Sequence, residues 1–118
     1  MQILFETSEE SDIDCLGLLP GKVRKLAPSP GIRIPHMGWN TIRNRSTHPL
    51  LHGLDGADFY FVHSYAAPPS SDTLAVCRHG QDFTAVVDHG NRMGVQFHPE
   101  RSGAQGQQLL GNFLALSA

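Results

Sequence analysis

Apolar positions along this chain fall mostly in short runs rather than at helical spacing. Phe59 to Tyr65 is aromatic and β-branched, and Leu74 to Arg78 and Phe83 to Val87 are two apolar runs separated by His79-Gly80-Gln81-Asp82, a hairpin-like spacing with a glycine. Met93 to Phe97 predicts a further strand, Val23 to Leu26 a short one, and Ile32-Arg33-Ile34 alternates as a half-buried strand does after the turn Pro28-Ser29-Pro30-Gly31. Helical spacing marks the ends of the chain. Leucines and Phe113 recur with that period over Gln105 to Leu116, and Ile3 to about Glu10 reads as the later part of a helix. Ser11 to Gly21 is a connection rich in acidic residues and glycine, closed by Pro20-Gly21. Asn44 to Gly56 reads as an irregular segment or a short helix around Pro49-Leu50-Leu51. Several strands with terminal helices make the fold α/β or α+β by pattern alone.

Composition narrows the class. The 118 residues are 40% hydrophobic and 17% charged, which suits one small domain with a modest core. A formal charge of -2 without a long basic block argues against a nucleic-acid or anionic-membrane partner, although Lys22, Arg24 and Lys25 form a small basic cluster. No apolar run approaches the roughly 20 residues of a membrane span, and nothing reads as a signal peptide. The 2 cysteines, Cys15 and Cys77, lack C-x-x-C spacing and fit a reducing, cytoplasmic setting. Cys77, between Val76 and Arg78, reads as a buried thiol.

The chemistry concentrates near the carboxy terminus. In Gly94-Val95-Gln96-Phe97-His98-Pro99-Glu100-Arg101-Ser102 an apolar strand ends in a histidine and a carboxylate two positions apart. In an extended segment those side chains share a side, so Glu100 reaches the imidazole of His98 while Pro99 stiffens the link. That is the base and orienting half of a nucleophile–His–acid triad, in which the carboxylate fixes the tautomer and stabilises the imidazolium. The bland alternative is a surface loop after a buried strand.

The complete run is more specific than a bare H-x-E, and it resembles the carboxy-terminal signature of class I glutamine amidotransferases. Pro35-His36-Met37-Gly38-Trp39-Asn40 and Tyr60-Phe61-Val62-His63-Ser64-Tyr65, in that order, make the chain similar to the glutaminase subunits of imidazole glycerol phosphate synthase, from Met1 to about Phe113. The resemblance implies an α/β, flavodoxin-like sheet whose first strands are absent, with residues 1–118 forming the carboxy-terminal part of one amidotransferase domain. In the resembled family the nucleophilic cysteine sits in an elbow reading C-L-G-M-Q, which would place it three residues before Met1. The expectation is therefore a chain without its nucleophile and inactive by itself. Cys15-Leu16-Gly17 mimics the elbow, but Ile13 stands where a small residue is needed and Leu18-Leu19-Pro20-Gly21 follows instead of a helix start.

By the same resemblance, His98 and Glu100 are the catalytic base and its orienting acid. Gln2 helps to hold the substrate glutamine, His63, Ser64 and Tyr65 receive its amino-acid end, and Met37, Trp39 and Asn40 lie near the face that docks on a cyclase partner, a β/α barrel. A tryptophan suits an interface anchor through its apolar area and single N–H, though a core tryptophan behind a turn reads equally well. The implied reaction is hydrolysis of glutamine to glutamate and ammonia. The ammonia is then used by the cyclase to make imidazole glycerol phosphate and an aminoimidazole carboxamide ribotide in histidine biosynthesis. No cofactor is implied, and although there are 7 histidines, no zinc-finger spacing occurs and no metal is expected. The alternatives are a non-catalytic interaction module built around Trp39, and an amidotransferase subunit of another pathway.

Overall fold

The computed structural model describes residues 5–8, 19–26, 31–32, 34–89 and 92–116. Its elements in chain order are β1 (Phe5–Ser8), β2 (Leu19–Lys25), β3 (His36–Asn44), β4 (Asp58–His63), β5 (Tyr65–Ala66), β6 (Thr73–Arg78), β7 (Asp82–His89), β8 (Arg92–Val95) and α1 (Gly103–Leu116). One-turn 3-10 segments lie at Pro49–Leu51 and Pro99–Arg101. The strands form two sheets. In the smaller one β2 runs parallel to β1 and antiparallel to β5. The larger has the order β4-β3-β6-β7-β8, with every neighbour antiparallel.

Most elements match the apolar pattern. The β6–β7 hairpin forms where the glycine-containing spacing predicts it, and each strand carries five consecutive buried residues, as expected for a pair covered on both faces. Phe5–Ser8 is a strand and not the end of a helix. A helical turn isolated from packing is costly to nucleate, and these residues instead pair in parallel with Leu19, Lys22 and Val23. The segment Pro28–Pro30 lies outside the described residues, as do Gln2 and Cys15.

The nine-residue strand β3 is the main element that the apolar pattern misses. Its burial alternates with period two: His36 and Ile42 point into the core while Met37, Trp39, Thr41 and Arg43 point to solvent. The adjacent β4 alternates likewise, burying Phe59, Phe61 and His63. The registers Trp39↔Tyr60 and His36↔His63 follow, so each strand face carries a cross-strand pair of its own.

The core lies on the inner face of the large sheet. Phe59 stacks on Phe97 with ring centroids 4.0 Å apart, and Phe61 meets Phe83 and Phe97 edge-on at 5.7 Å. Ile42, Leu51, Leu54, Val86 and Leu109 pack in the same cluster. Burying a large apolar side chain contributes about 1.5 to 3 kcal/mol, so these aromatics dominate the stability of the half of the molecule that carries His98. Helix α1 packs through Gly106 and Leu109 and is held at its far end by Asn112, whose amide donates to the carbonyls of Leu50 at 2.9 Å and His52 at 3.1 Å. No helix among the described residues is long and apolar enough to cross a membrane.

Candidate active site

His98 is placed from both sides by the core. Phe97, 3% exposed, plugs into the aromatic cluster, and the next residue donates its backbone N–H to the carbonyl of Tyr60 at 2.9 Å. Ser102, fully buried, closes the turn: its hydroxyl donates to the His98 carbonyl at 2.6 Å and accepts the Tyr60 N–H at 3.0 Å. The His98-to-Ser102 turn is thereby laced to β4 by two hydrogen bonds, both to Tyr60, and closed on itself by a third.

Within that turn the expected pair forms. His98 Nδ1 lies 2.7 Å from Glu100 Oε1. The backbone route differs from the extended one the spacing suggests. His98 is extended at φ -103°, ψ 97°, but Pro99 then starts a 3-10 turn, for which its fixed φ is suited, and the turn brings Glu100 back over the ring. A carboxylate only accepts, so the proton on Nδ1 points at Glu100 and the neutral ring presents a bare Nε2. The backbone N–H of Glu100 itself, and then the His98 hydrogen bond, hold the Glu100 carboxyl below the usual range and keep it ionised. Both side chains reach solvent, His98 being 42% and Glu100 62% exposed.

Close approach of α1 sets the position of the turn. A Cβ at Gly106 would lie 1.9 Å from the Pro99 carbonyl oxygen, so only glycine allows the helix to seat directly against the turn. Tyr60 and Ser102 lie inside the quoted runs without being assigned a role from the sequence, and Gly106 lies outside them. The signal for Gly106 is a glycine inside a helical pattern, which often marks a packing constraint.

The run His63-Ser64-Tyr65 joins β4 to β5. His63 is buried, with its Nδ1 3.0 Å from the Tyr65 carbonyl and its Nε2 2.9 Å from His36 Nδ1. The Ser64 carbonyl accepts the Leu26 N–H at 2.8 Å, and Tyr65 packs against the small cluster of Val23, Ala67 and Val87. The bond from the His98 N–H to Tyr60, three residues before His63 on β4, brings the two motifs to one region. Burial pushes His63 down to about 4.

The Pro35 to Asn40 run divides between two faces. Met37 is 64% and Trp39 56% exposed, which rules out a core tryptophan. Trp39 meets the Tyr60 ring edge-on at 6.0 Å, and the Arg101 guanidinium sits 4.6 Å from the centre of the same ring. Asn40 points the other way, its amide donating to the Arg78 carbonyl at 3.0 Å and lying 3.1 Å from His36 Nε2.

Cys77 is fully buried and its thiol is pushed up to about 12, chiefly by burial, which makes it a core residue and not a nucleophile. His48 and His52 stand four residues apart, a spacing that suits metal binding on a regular helix. Here the His48 ring is committed, Nδ1 to the Leu50 N–H at 3.1 Å and Nε2 to Asp88 at 3.0 Å.

Comparison with known proteins identifies the family. Residues 1–116 match the family model for glutamine amidotransferase class-I. The imidazole glycerol phosphate synthase subunit HisH of Xylella fastidiosa (strain Temecula1) is 56% identical over 119 residues, covering 100% of this chain and 60% of the relative. HisH of Xanthomonas axonopodis pv. citri is 58% identical over 118 residues, covering 99% of this chain and 59% of the relative. The chain thus spans about 60% of the length of the curated relatives it matches. With its strand-rich mixed architecture, its His98–Glu100 pair and a family match over nearly its whole length, the chain belongs to the class I glutamine amidotransferases.

Proposed function

We propose that this chain is the carboxy-terminal part of the glutaminase subunit of imidazole glycerol phosphate synthase, and that it supplies the base and orienting acid for glutamine hydrolysis. The observation that carries the reading is the 2.7 Å contact from His98 Nδ1 to Glu100, which leaves Nε2 to face a nucleophile. The nucleophile is a cysteine thiolate from the part of the enzyme that this chain does not span. Its thiol proton passes to the bare Nε2 of His98, and the thiolate so formed attacks the side-chain amide carbon of glutamine. His98 gives a proton to the departing nitrogen as the C–N bond breaks, releasing ammonia and leaving a glutamyl thioester. The same imidazole then takes a proton from water as it attacks the thioester, and the thiolate leaves glutamate behind. Glu100 stays ionised and stabilises the imidazolium formed along the way.

His63, Ser64 and Tyr65 receive the amino-acid end of glutamine, and Gln2 assists. Met37 and Trp39, with Asn40 behind them, form the face for the cyclase subunit, a β/α barrel that takes up the ammonia and makes imidazole glycerol phosphate and the carboxamide ribotide. The enzyme works in the cytoplasm and needs no metal for the hydrolysis.

The test is to join the chain to the upstream segment of the Xylella fastidiosa relative, which restores the elbow cysteine, and to measure glutamate release. Release that disappears when that cysteine is changed to alanine is expected. The 118-residue chain by itself is expected to release none. Release from the chain alone that is abolished by Cys15→Ala would move the nucleophile to Cys15, and a joined, folded protein without activity would sink the glutaminase reading.

A further inference from the structure

A chain of hydrogen bonds crosses the inner face of the sheet from Asn40 to Tyr65, and carbonyl groups at its two ends dictate its direction. The Tyr65 carbonyl only accepts, so His63 Nδ1, 3.0 Å away, carries that ring's proton. In a neutral ring Nε2 is then an acceptor, and the proton in the 2.9 Å contact between the histidines belongs to His36 Nδ1. His36 Nε2 is in turn left to accept from the Asn40 amide at 3.1 Å. The second hydrogen of that amide goes to the Arg78 carbonyl at 3.0 Å, and Asn40 Oδ1 accepts the Thr41 N–H at 2.8 Å, which fixes which way the amide points.

Nothing in this chain is left to choose between tautomers. Burial keeps both rings neutral, lowering His36 to about 3 and His63 to about 4. Stacking holds them in place: His36 lies between Phe61, with centroids 4.9 Å apart, and His79, at 4.1 Å. His63 has both nitrogens engaged and has none free for proton transfer, in contrast to the Nε2 that His98 presents.

We propose that His36, steadied by Asn40, is a positioning residue for the glutamine site, acting through His63 to fix the Tyr65 carbonyl and with it the backbone that receives the amino-acid end of the substrate. The proposal rests on the reading of His63 to Tyr65 given above. It also links that backbone to β3, whose opposite face carries Met37 and Trp39. Loosening the chain lets the substrate-receiving backbone wander while His98, Glu100 and their own anchors on Tyr60 and Ser102 stay in place. The predicted signature is weaker glutamine capture with little change in the chemical step.

The experiment uses the joined protein described above and compares His36→Phe with His36→Gln. Phenylalanine keeps the ring between Phe61 and His79 but cannot donate. Glutamine can donate to His63 Nε2 and accept from Asn40. Expected is a KM for glutamine raised about tenfold in His36→Phe, the effect of leaving a buried polar group unpaired, with kcat changed less than about threefold, and a KM in His36→Gln within about threefold of the parent. An unmoved KM in folded His36→Phe overturns the proposal, as does an equal loss in both variants. If His36→Phe does not fold, Asn40→Ala at its partly exposed position decides instead: a raised KM supports the chain and an unchanged one overturns it. Nitrogen-15 spectra of the histidines give an independent reading, since a His63 protonated on Nε2 rather than Nδ1 breaks the chain whatever the kinetics. Absence of hydrolysis in the parent protein removes the glutaminase reading and this proposal together, whereas active parent protein with an unmoved KM removes this proposal alone.

Discussion

Tyr60 and His98 are joined through their backbones: the His98 N–H donates to the Tyr60 carbonyl at 2.9 Å. The outer face of Tyr60 meets Trp39 and Arg101, so one residue touches both the exposed Trp39 face and the turn that carries the His98–Glu100 pair. Tyr60 is thus engaged on both sides, by its register with Trp39 on β3 and by the Ser102 hydroxyl of the turn.

The two members of the pair are expected to differ in weight. In the joined protein His98→Ala should cost glutamate release roughly 100 to 10,000-fold, the usual value of a general acid–base group. Glu100→Ala should cost less, because the carboxylate orients the ring and does not itself carry the proton. Glutamate assays at saturating glutamine check this, and an equal loss in both variants would contradict the division of roles.

Ser102 is expected to be worth more than its size. Ser102→Ala removes the bond to the His98 carbonyl and strands the Tyr60 N–H in a buried place. The cost should be about 1 to 3 kcal/mol, read from the shift in denaturant midpoint, with a fall in kcat as the turn loosens. A variant as stable and active as the parent would show that the turn is held by packing alone.

Gly106→Ala tests the seat of the helix. The added methyl would meet backbone atoms of Pro99, which cannot rotate away as a side chain can. Overpacking of this kind typically costs about 1 to 3 kcal/mol, and here the displaced residue is flanked by His98 and Glu100. Activity should therefore drop together with stability, whereas Gly111→Ala, which meets open space inside the same helix, should leave activity unchanged and stabilise by about 0.5 to 1 kcal/mol through helix propensity.

Trp39 should separate binding from folding. Because more than half of the residue is exposed, Trp39→Ala should shift the thermal midpoint little while raising the Kd for the barrel subunit about tenfold or more, as truncation of an aromatic anchor does. Titration of the barrel subunit onto the joined protein gives the comparison. A large loss of stability with an unchanged Kd would make Trp39 a packing residue of the sheet surface.

Stability should depend on pH through the paired histidines. His36 and His63 are lowered to about 3 and about 4, while an unfolded histidine titrates near 6.5. Below about pH 6.5 the unfolded chain binds the more protons, so stability falls as pH drops from there towards the folded values and is flat with respect to these groups above. Each ring contributes at most about 1.4 kcal/mol per pH unit within that window. Urea midpoints at about pH 7.5, 6 and 5 should decline in the parent and less steeply in His36→Gln. An unchanged midpoint across the range would mean that these rings take up protons as readily in the folded protein as in the unfolded one.

What the sequence determined by itself was local. The β6–β7 hairpin, the carboxy-terminal helix and the His98–Glu100 pair all depend on residues a few positions apart, where side-chain period and the fixed angle of Pro99 set the geometry with little help from the rest of the molecule. Strand β3 was invisible to apolar patterning because its core face carries His36, Gly38 and Asn40. These suit the interior only once His63 and the Arg78 carbonyl, 27 and 38 residues away, offer them hydrogen bonds. The exposure of Trp39 was decided at the same level: a register slip of one residue between β3 and β4 would turn it inward and His36 outward. The bond from His98 to Tyr60, the Ser102 lock and the seat of Gly106 on Pro99 likewise join segments whose approach no local period encodes, and only the assembled sheet and helix bring them together.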